Sequence, residues 1–194
     1  MDGPIADTRE RIIATAQALF GRFGLRKTTL DEIIRRANVA KGTFYKHFSN
    51  KEMLFMEVVE RESETLTALI QEAVRQAPTP QDKMTVYLKV RVRTVAELVN
   101  LYEVTRETVS EYWPRCEGIR EKHLLEEQRV VQSILEDGVS EGVFDLRAPE
   151  LTASAIVIAA KGLESSWMLE ANLLEIEEGA DILLDVLFRG ILRR

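Results

Sequence analysis

A short segment near residue 40 concentrates side chains that donate hydrogen bonds. Phe44 and Phe48 stand four residues apart, so one face of a short helix can turn both toward a core. The positions left for the outer face all carry donors, and several are cationic or flat: Lys41, Thr43, Tyr45, Lys46 and His47. Such groups bind phosphate oxygens and acceptor atoms on base edges. The segment therefore indicates a helix that contacts nucleic acid, and packing between helices is the alternative for Tyr45 and His47.

Two neighbouring positions also favour an anion. Gly42 has no side chain, so backbone N–H groups near the start of this helix can approach a phosphate closely. Lys51 stands at the start of the next predicted helix, where the helix dipole and the ammonium group both attract negative charge. Both residues therefore join the candidate anion-binding surface.

Charge is unevenly distributed along the chain. The 194 residues carry a formal net charge of −6, which taken alone disfavours nucleic-acid binding. Between Arg22 and Lys51, however, eight basic residues accompany only two acids, so the remainder carries −12. Attraction to phosphate acts over about 8 Å at physiological ionic strength, so the local balance matters more than the total. The pattern fits a DNA-binding head joined to a separate acidic domain, and a chance cluster of solvated charges is the alternative.

The helices that would position this surface can be predicted from apolar spacing and capping residues. Apolar residues recur at helical spacing from Ile12 to Phe23, with Asp7 as the expected cap and Gly24 as the expected end. This first helix would brace the two short helices that follow it.

The two short helices are separated by a tight turn. Thr28 and Thr29 each precede an acid by three residues, a doubled capping-box pattern that predicts a helix to about Ala37. The helical period breaks at 38–40, and a third helix is predicted over 41–47. Two short helices joined by such a turn form the smallest unit that inserts a helix into the major groove.

The rest of the chain is predicted to be helical as well. A capping box from Ser49 to Glu52 starts a helix reaching about Gln76, and Thr79 with Pro80 starts the next one. This helix is expected over about 81–100, and further helices are expected over about 102–111, 116–141, 150–172 and 178–193. No alternating strand pattern competes. The expected fold is all-α with about nine helices, comprising an N-terminal three-helix domain and a C-terminal helical bundle.

Residues 8–55 resemble the DNA-binding domain of TetR-family transcriptional regulators, of the TetR/AcrR type. The resemblance rests on the segment from Thr28 to Ile33 and on the run from Asn38 to Leu54, and it covers about a quarter of the chain. It implies a helix-turn-helix domain over 1–50 and a ligand-binding and dimerisation domain over 51–194. It also implies a homodimeric repressor that binds palindromic operator DNA and is released by a small molecule.

The resemblance assigns residues of this chain to DNA contacts. The recognition helix would carry Lys41, Gly42, Thr43, Tyr45 and Lys46, and the phosphate anchors would be Thr29, Tyr45, His47 and Lys51. For base edges we favour Thr43 and Lys46, with the Tyr45 ring against a thymine methyl group or a sugar. Some members read a base with a basic residue early in the second helix, whereas Asp31 stands there in this chain and is expected to act as a cap.

A dimer interface formed by the last two long helices is also implied. Small residues beside bulky ones permit close helix approach in the first of these helices, and the second carries a broad apolar face. The expected interface residues are Ile156, Ala159, Ala160, Leu163, Trp167, Ile182, Leu183, Val186 and Leu187. An intramolecular core is the alternative for them.

The same domain would enclose a cavity for an effector whose identity the sequence does not reveal. The candidate lining residues are Tyr87, Arg91, Val95, Tyr102, Trp113, Cys116, Leu125 and Trp167. A largely apolar wall suits a hydrophobic or amphipathic effector. Arg91 could meet a carboxylate or phosphate, whereas Glu103 and Glu107 could meet a cationic drug; core packing or surface charge is the alternative for each.

Other function classes find little support in the sequence. Neither His47 nor His123 has a glutamate three residues earlier, as a di-iron bundle needs, and Cys116 has no evident catalytic partner. We therefore expect neither an enzyme nor a cofactor, and a helix-turn-helix activator or dual regulator is the alternative to a repressor. A single cysteine, an N-terminus unlike a signal peptide and the lack of an apolar run of about 20 residues predict a cytoplasmic protein with no membrane partner.

Overall fold

The all-α prediction is confirmed by a computed structural model that describes residues 4–98, 113–167 and 173–192. It gives the backbone only at 4–7, 96, 113–117, 120, 163–167 and 173–176. The described residues form eight helices: α1 (Pro4–Lys27), α2 (Leu30–Arg36), α3 (Lys41–His47), α4 (Lys51–Gln76), α5 (Pro80–Glu97), α6 (Trp113–Ser140), α7 (Pro149–Trp167) and α8 (Leu173–Ile191). Strands are absent from these ranges, where one isolated β-bridge joins Phe144 to Leu192.

Helix α1 differs from its prediction at the start. It begins at Pro4, so Asp7 lies inside the helix and the prediction that it caps α1 was wrong. At the other end Gly24 has φ 78° and ψ 159°, a conformation that side chains strongly disfavour. The regular part of α1 therefore ends where the sequence predicted, and one further turn follows. The helix expected over 102–111 lies outside the described residues.

Threonine caps start α2 and α5 as predicted. The Thr29 hydroxyl oxygen accepts a hydrogen bond from the Glu32 amide at 3.2 Å. Thr79 accepts from the Asp82 amide at 3.1 Å and donates to the Asp82 carboxylate at 2.6 Å, while Pro80 occupies the first turn. Each cap satisfies an amide that has no partner within its own helix, which defines where these helices begin.

Two other predicted capping residues have different partners. Thr28 is buried, and its hydroxyl donates to the Gly24 carbonyl at 2.9 Å. Ser49 contacts the Met53 sulfur at 2.8 Å, and Asn50 caps α4 instead, accepting from the Met53 amide at 2.8 Å. The capping motifs thus locate both helix starts correctly, but tertiary packing decides which side chain serves as the cap.

The described residues divide into two compact units: the first comprises 4–63 and 113–117, and the second comprises 64–98 and the described residues from 118 onward. In the first unit, the rings of Phe20 on α1 and Phe55 on α4 meet edge to face with centroids 5.5 Å apart. The core around them consists of Ile12, Ile13, Ala16, Leu19, Ile33, Phe44, Leu54 and Val58. Helix α1 therefore forms part of the core against which α2 and α3 are held.

The second unit has a core of its own, in which α5 packs against α7 and α8. Its buried apolar side chains include Met84, Leu88, Val92, Ile134, Leu135, Ala153, Val157, Ala160 and Leu184. After α6 the chain turns at Gly142 (φ 70°), and the Phe144 amide donates to the Gly138 carbonyl at 2.9 Å. The Asp145 amide then donates to the carbonyl of Ile191 at 2.7 Å, which joins this turn to the end of α8. Among the described helices, none has the length and apolar character required to cross a bilayer.

Candidate nucleic-acid interface and regulatory domain

The turn between α2 and α3 has a well-defined local cause. Asn38 adopts a left-handed conformation (φ 53°), which asparagine tolerates better than most residues. Its amide donates to the Arg35 carbonyl and the Val39 amide donates to the Ile34 carbonyl, both at 3.2 Å. This is the Schellman pattern that ends a helix. The predicted break in the helical period is therefore confirmed as a tight turn between two helices.

Helix α3 has one buried and one exposed face. Phe44 is fully buried, and its ring centroid lies 5.9 Å from that of Phe48. The exposed residues of α3 are Lys41, Gly42, Tyr45 and Lys46, whereas Thr43 and His47 are half-buried. No side chain caps the start of the helix, where Ala40 is the N-cap. The structure thus brings the predicted donors together on one short helix.

Side chains of α1 contact the turn and the end of α3, and one of them also pairs with α4. Arg11 donates to the Ala37 carbonyl in the turn at 3.0 Å. The Arg9 guanidinium lies 5.5 Å from the Phe48 ring centroid and 2.6 Å from the Glu57 carboxylate. The turn and the end of α3 are therefore tied to the longer helices. This arrangement could not be predicted from the sequence, because the partners lie far apart along the chain.

Two predicted phosphate anchors also have structural roles. Thr29 is exposed and accepts the cap hydrogen bond, so its hydroxyl hydrogen can still be donated outward. Lys51 donates from Nζ to the Leu25 carbonyl at 2.8 Å and to the Thr28 carbonyl at 3.0 Å. Because an ammonium group has three hydrogens, one remains for an anion. Lys51 thus ties the junction of α1 and α2 to the start of α4, a role missed in the sequence.

Asp31 is an exposed residue of α2 that pairs with α3. Its Oδ1 lies 3.2 Å from Nζ of Lys41. The other acid of α2, Glu32, pairs with Arg36 at 3.0 Å. Since Thr29 supplies the side-chain cap of α2, the expectation that Asp31 acts as the cap was wrong.

The second unit contains a buried polar cluster built from three residues. Arg91 forms a short ion pair with Glu127, and the Tyr87 hydroxyl donates to the same carboxylate at 2.8 Å. All three side chains are buried. Burial raises the pKa of Tyr87 well above its ordinary value, and the negative charge of Glu127 adds to this effect. Two of the predicted effector-binding residues therefore meet, together with a glutamate that the sequence analysis did not single out.

The structure describes the side chains of only two of the other predicted effector-binding residues. Val95 is buried, whereas Leu125 is 46% exposed. Tyr102 lies outside the described residues, and for Trp113, Cys116 and Trp167 only the backbone is described. Groups of three or more His, Cys, Asp or Glu side chains suited to a metal are absent from the part of the chain that the structure describes.

An open groove lies elsewhere in the second unit, between the end of α4, the start of α5 and α6. It encloses about 500 Å³. Apolar side chains lie beside charged ones of both signs: Gln71, Val74, Arg75, Lys83, Glu126, Arg129, Val130, Ser133, Ile134 and Asp137. A volume of this size can hold a small molecule with apolar and polar parts.

Helices α7 and α8 leave a large apolar face in solvent. The exposed fractions are 73% for Leu151, 61% for Ile158, 62% for Ile182 and 63% for Val186. An apolar groove of about 250 Å³ lies nearby, lined by Met84, Leu88, Thr152, Ala155, Ile156, Ala159, Leu183, Leu184, Val186 and Leu187. Exposed apolar side chains that cluster on a protein surface often mark an interaction site.

The predicted interface residues are distributed between this apolar face and the core. Ala159 is exposed and Leu183 and Leu187 are half-buried, whereas Ile156 and Ala160 are buried within the unit. For Leu163, as for Trp167, only the backbone is described.

The fold and the exposed helix define an all-helical protein with an N-terminal helix-turn-helix. The family described as bacterial regulatory proteins, tetR family, matches residues 12–58. An uncharacterised HTH-type transcriptional regulator, YhgD of Bacillus subtilis strain 168, is 26% identical over 192 residues, covering 95% of this chain and 97% of that protein. A probable acrEF/envCD operon repressor of Escherichia coli K12 is 46% identical over 65 residues, which cover 34% of this chain and 29% of that protein.

Similarity in structure extends over nearly the whole chain. A transcriptional regulator from Cytophaga hutchinsonii superposes with a TM-score of 0.82 at 21% identity, covering 95% of this chain and 98% of that one. Residues 12–58, which match the family, contain the described helix-turn-helix. The resemblance to TetR-family transcriptional regulators that the sequence predicted is therefore confirmed for residues 12–58.

Proposed function

We propose that this regulator represses transcription by binding a palindromic operator as a homodimer, and that a small hydrophobic or amphipathic effector releases it. The observation that carries the proposal is the outer face of α3, where the exposed side chains Lys41, Tyr45 and Lys46 all donate hydrogen bonds. The protein would act in the cytoplasm, without a metal or organic cofactor and without catalysing a reaction.

Within this proposal the donors divide between bases and phosphates. Lys46 and Thr43 contact base edges, and the exposed Tyr45 ring lies against a thymine methyl group or a sugar. Thr29, Tyr45, His47 and the remaining hydrogen of Lys51 bind phosphates. The support is the common location of these residues on α3 and on the helix starts beside it.

A second copy of the chain would cover the exposed face of α7 and α8. One helix-turn-helix contacts too few phosphates for firm binding at physiological salt, so two heads related by a two-fold axis are needed. The apolar side chains that protrude from this face, Ile182 and Val186 foremost, would pack against their symmetry copies. Light scattering at micromolar concentration should give the mass of a dimer, and a monomer would contradict this part of the proposal.

The effector site belongs to the second unit. The groove along α6 combines apolar residues such as Val130 and Ile134 with the charged groups of Arg75 and Arg129, which suits an amphipathic molecule. The buried cluster of Tyr87, Arg91 and Glu127 offers a second polar anchor. An effector releases DNA only if it binds the DNA-incompetent state more tightly than the DNA-bound one.

Helix α4 is the element through which an effector would act. It begins beside α3 in the chain, and its first half is tied to α1 by the pairs Arg61–Glu10 and Gln17–Glu62, the latter at 2.9 Å. A shift of α4 would therefore carry the helix-turn-helix with it. Since half-sites lie about 34–36 Å apart, a small change in the separation of the two recognition helices would abolish the fit.

Selection of duplexes from random DNA at about 0.15 M salt tests the proposal. We expect a palindromic sequence, lower transcription from a promoter that carries it, and release of this duplex by hits from a thermal-shift screen of lipids and cationic drugs. Failure to bind any duplex at low ionic strength would contradict DNA binding. Thermal-shift hits that leave DNA binding unchanged would contradict the effector mechanism alone.

A further inference from the structure

The ion pair between Asp31 and Lys41 contributes little to the fold. The two side chains are 81% and 64% exposed, with Oδ1 and Nζ 3.2 Å apart. Water screens so exposed a pair, and its effect on stability is small. Capping does not account for Asp31 either, because Thr29 supplies the cap of α2. The pair nevertheless joins α2 to the first residue of the recognition helix.

Asp31 also differs in chemistry from the groups around it. The exposed side chains of α3 are donors, whereas the Asp31 carboxylate only accepts hydrogen bonds. Glu32 is not equivalent, because its side chain is 26% exposed and pairs with Arg36. An exposed carboxylate beside a DNA-binding helix repels phosphate, so it disfavours binding unless it meets a donor on the DNA.

In the major groove such a donor lies next to an acceptor on every base pair. In a G·C pair, guanine O6 and cytosine N4 are hydrogen-bonded to each other and so lie about 2.9 Å apart. This separation is close to the 3.2 Å between Lys41 Nζ and Asp31 Oδ1. A donor and an acceptor held side by side can therefore contact the two bases of one pair.

The flanking atoms distinguish G·C from A·T. Beside guanine O6 lies N7, a second acceptor for the ammonium group of Lys41. In an A·T pair the ammonium group would instead lie beside the thymine methyl group, and the carboxylate of Asp31 would lie beside the acceptor N7 of adenine. Both contacts are unfavourable, so the pair selects G·C.

We propose that Asp31 and Lys41 together read one G·C pair in each half-site. Lys41 donates to guanine O6 and N7, and Asp31 accepts from the amino group of cytosine N4. Asp31 is thereby a specificity-determining residue, and α2 supplies a base contact alongside α3. The assignment rests on the proposed function, since it requires that α3 enters the major groove.

The test compares Asp31→Ala and Lys41→Ala with the wild type in duplex selection and in titration of single-base variants of the selected duplex. We expect discrimination between bases at one symmetric G·C position to fall about tenfold in both variants, which corresponds to about 1.4 kcal/mol. Asp31→Ala should also bind non-specific DNA more tightly, because it removes a negative charge, whereas Lys41→Ala should bind all DNA more weakly. Glu64→Ala removes an equal charge outside the helix-turn-helix and should keep the wild-type base preference.

Base preference separates this role from a structural one. A variant that is partly unfolded loses affinity for all sequences alike, so the ratios of its affinities for different bases stay unchanged. Asp31→Asn, which is isosteric, should shift the base preference toward A·T. Unchanged ratios at every position in Asp31→Ala would overturn the assignment, as would a wild-type site without a symmetric G·C pair. If the wild type binds no duplex, the proposed function itself is overturned.

Discussion

At the scale of single residues, the lysines of the N-terminal unit differ in what their ammonium groups contact. Lys46 is exposed on α3, whereas Lys51 donates to the carbonyls of Leu25 and Thr28. Lys41 pairs with the Asp31 carboxylate. Because these partners differ, the same substitution at each position should have a different effect on DNA binding and on stability.

Substitution of Lys46 and Lys51 should separate base recognition from phosphate binding. Lys46→Ala should relax the preference at one base position by about 1–3 kcal/mol, with stability unchanged. Lys51→Ala should weaken binding to all sequences alike and also lower the free energy of unfolding by about 1–2 kcal/mol, since two part-buried carbonyls lose their donor. Titration of matched and mismatched duplexes, together with thermal unfolding, measures both effects.

Lys27→Ala provides the control, because Lys27 is exposed and its loss removes the same charge. We expect it to weaken DNA binding at most slightly and to leave unfolding unchanged. If Lys51→Ala were as stable as Lys27→Ala, the two hydrogen bonds from Lys51 to the carbonyls would make no measurable contribution to the free energy of unfolding.

A second residue-scale prediction concerns the Tyr87 hydroxyl at alkaline pH. Its pKa is raised in the folded protein, chiefly by burial, so as pH rises through about 10 the unfolded chain loses this proton first. The free energy of unfolding should therefore fall above that pH in the wild type and fall less steeply in Tyr87→Phe. At neutral pH the variant should be less stable by about 1 kcal/mol, because its bond to Glu127 is lost.

Denaturant titrations of the wild type and Tyr87→Phe at pH 7 and at several pH values above 10 measure the loss of stability at neutral pH and the slope at alkaline pH. Parallel pH profiles for the wild type and Tyr87→Phe would contradict the raised pKa of Tyr87 in the folded protein.

At the scale of elements, helix ends are defined by local hydrogen bonds and by residues that tolerate unusual backbone angles. Thr29 and Thr79 cap their helices within three residues, and Asn38 turns the chain between α2 and α3. At the end of α6 the requirement is steric instead. A side chain at Gly138 would overlap with the ring of Phe144, which packs directly on the helix backbone.

Gly138→Ala should therefore destabilise the protein by about 1–3 kcal/mol, because the buried Phe144 ring has to move. The matched control lies in the same helix: a methyl group at Gly118 meets no atom within 4 Å. Gly118→Ala should stabilise by about 0.5–1 kcal/mol through helix propensity alone. Thermal or denaturant unfolding of both variants is the measurement, and equal effects would refute the close approach to Phe144.

At the scale of the whole molecule, the apolar face of α7 and α8 is the feature that an isolated chain does not explain. Val186→Glu places a charge among exposed apolar side chains there, and we expect it to convert the proposed dimer to a monomer. Operator affinity should then fall about tenfold or more, because the second head no longer binds as part of the same molecule. Light scattering and duplex titration on the same sample measure the two effects together.

Leu125→Glu is the control for this variant, since Leu125 is also exposed but lies on α6. It should remain dimeric and bind the operator as the wild type does. A dimeric Val186→Glu variant with full operator affinity would place the interface elsewhere.

The family resemblance, the helical class and most helix boundaries could be predicted from the sequence because their causes are local. Apolar spacing, the caps at Thr29 and Thr79 and the turn at Asn38 all depend on residues within one or two helical turns. The donors on α3 were predictable for the same reason, since Phe44 and Phe48 determine which face of so short a helix is buried.

Tertiary structure decided the partners that are distant along the chain. Glu127 meets Tyr87 and Arg91 across 40 and 36 residues, and Lys51 reaches Leu25 across 26. Spacing along a helix carries no information about such pairs, because they depend on how the helices pack. The sequence alone thus determined which helices form and which face of α3 carries donors. Only the packing of those helices decided which charged groups are bound within the protein and which, like Lys46, extend into solvent.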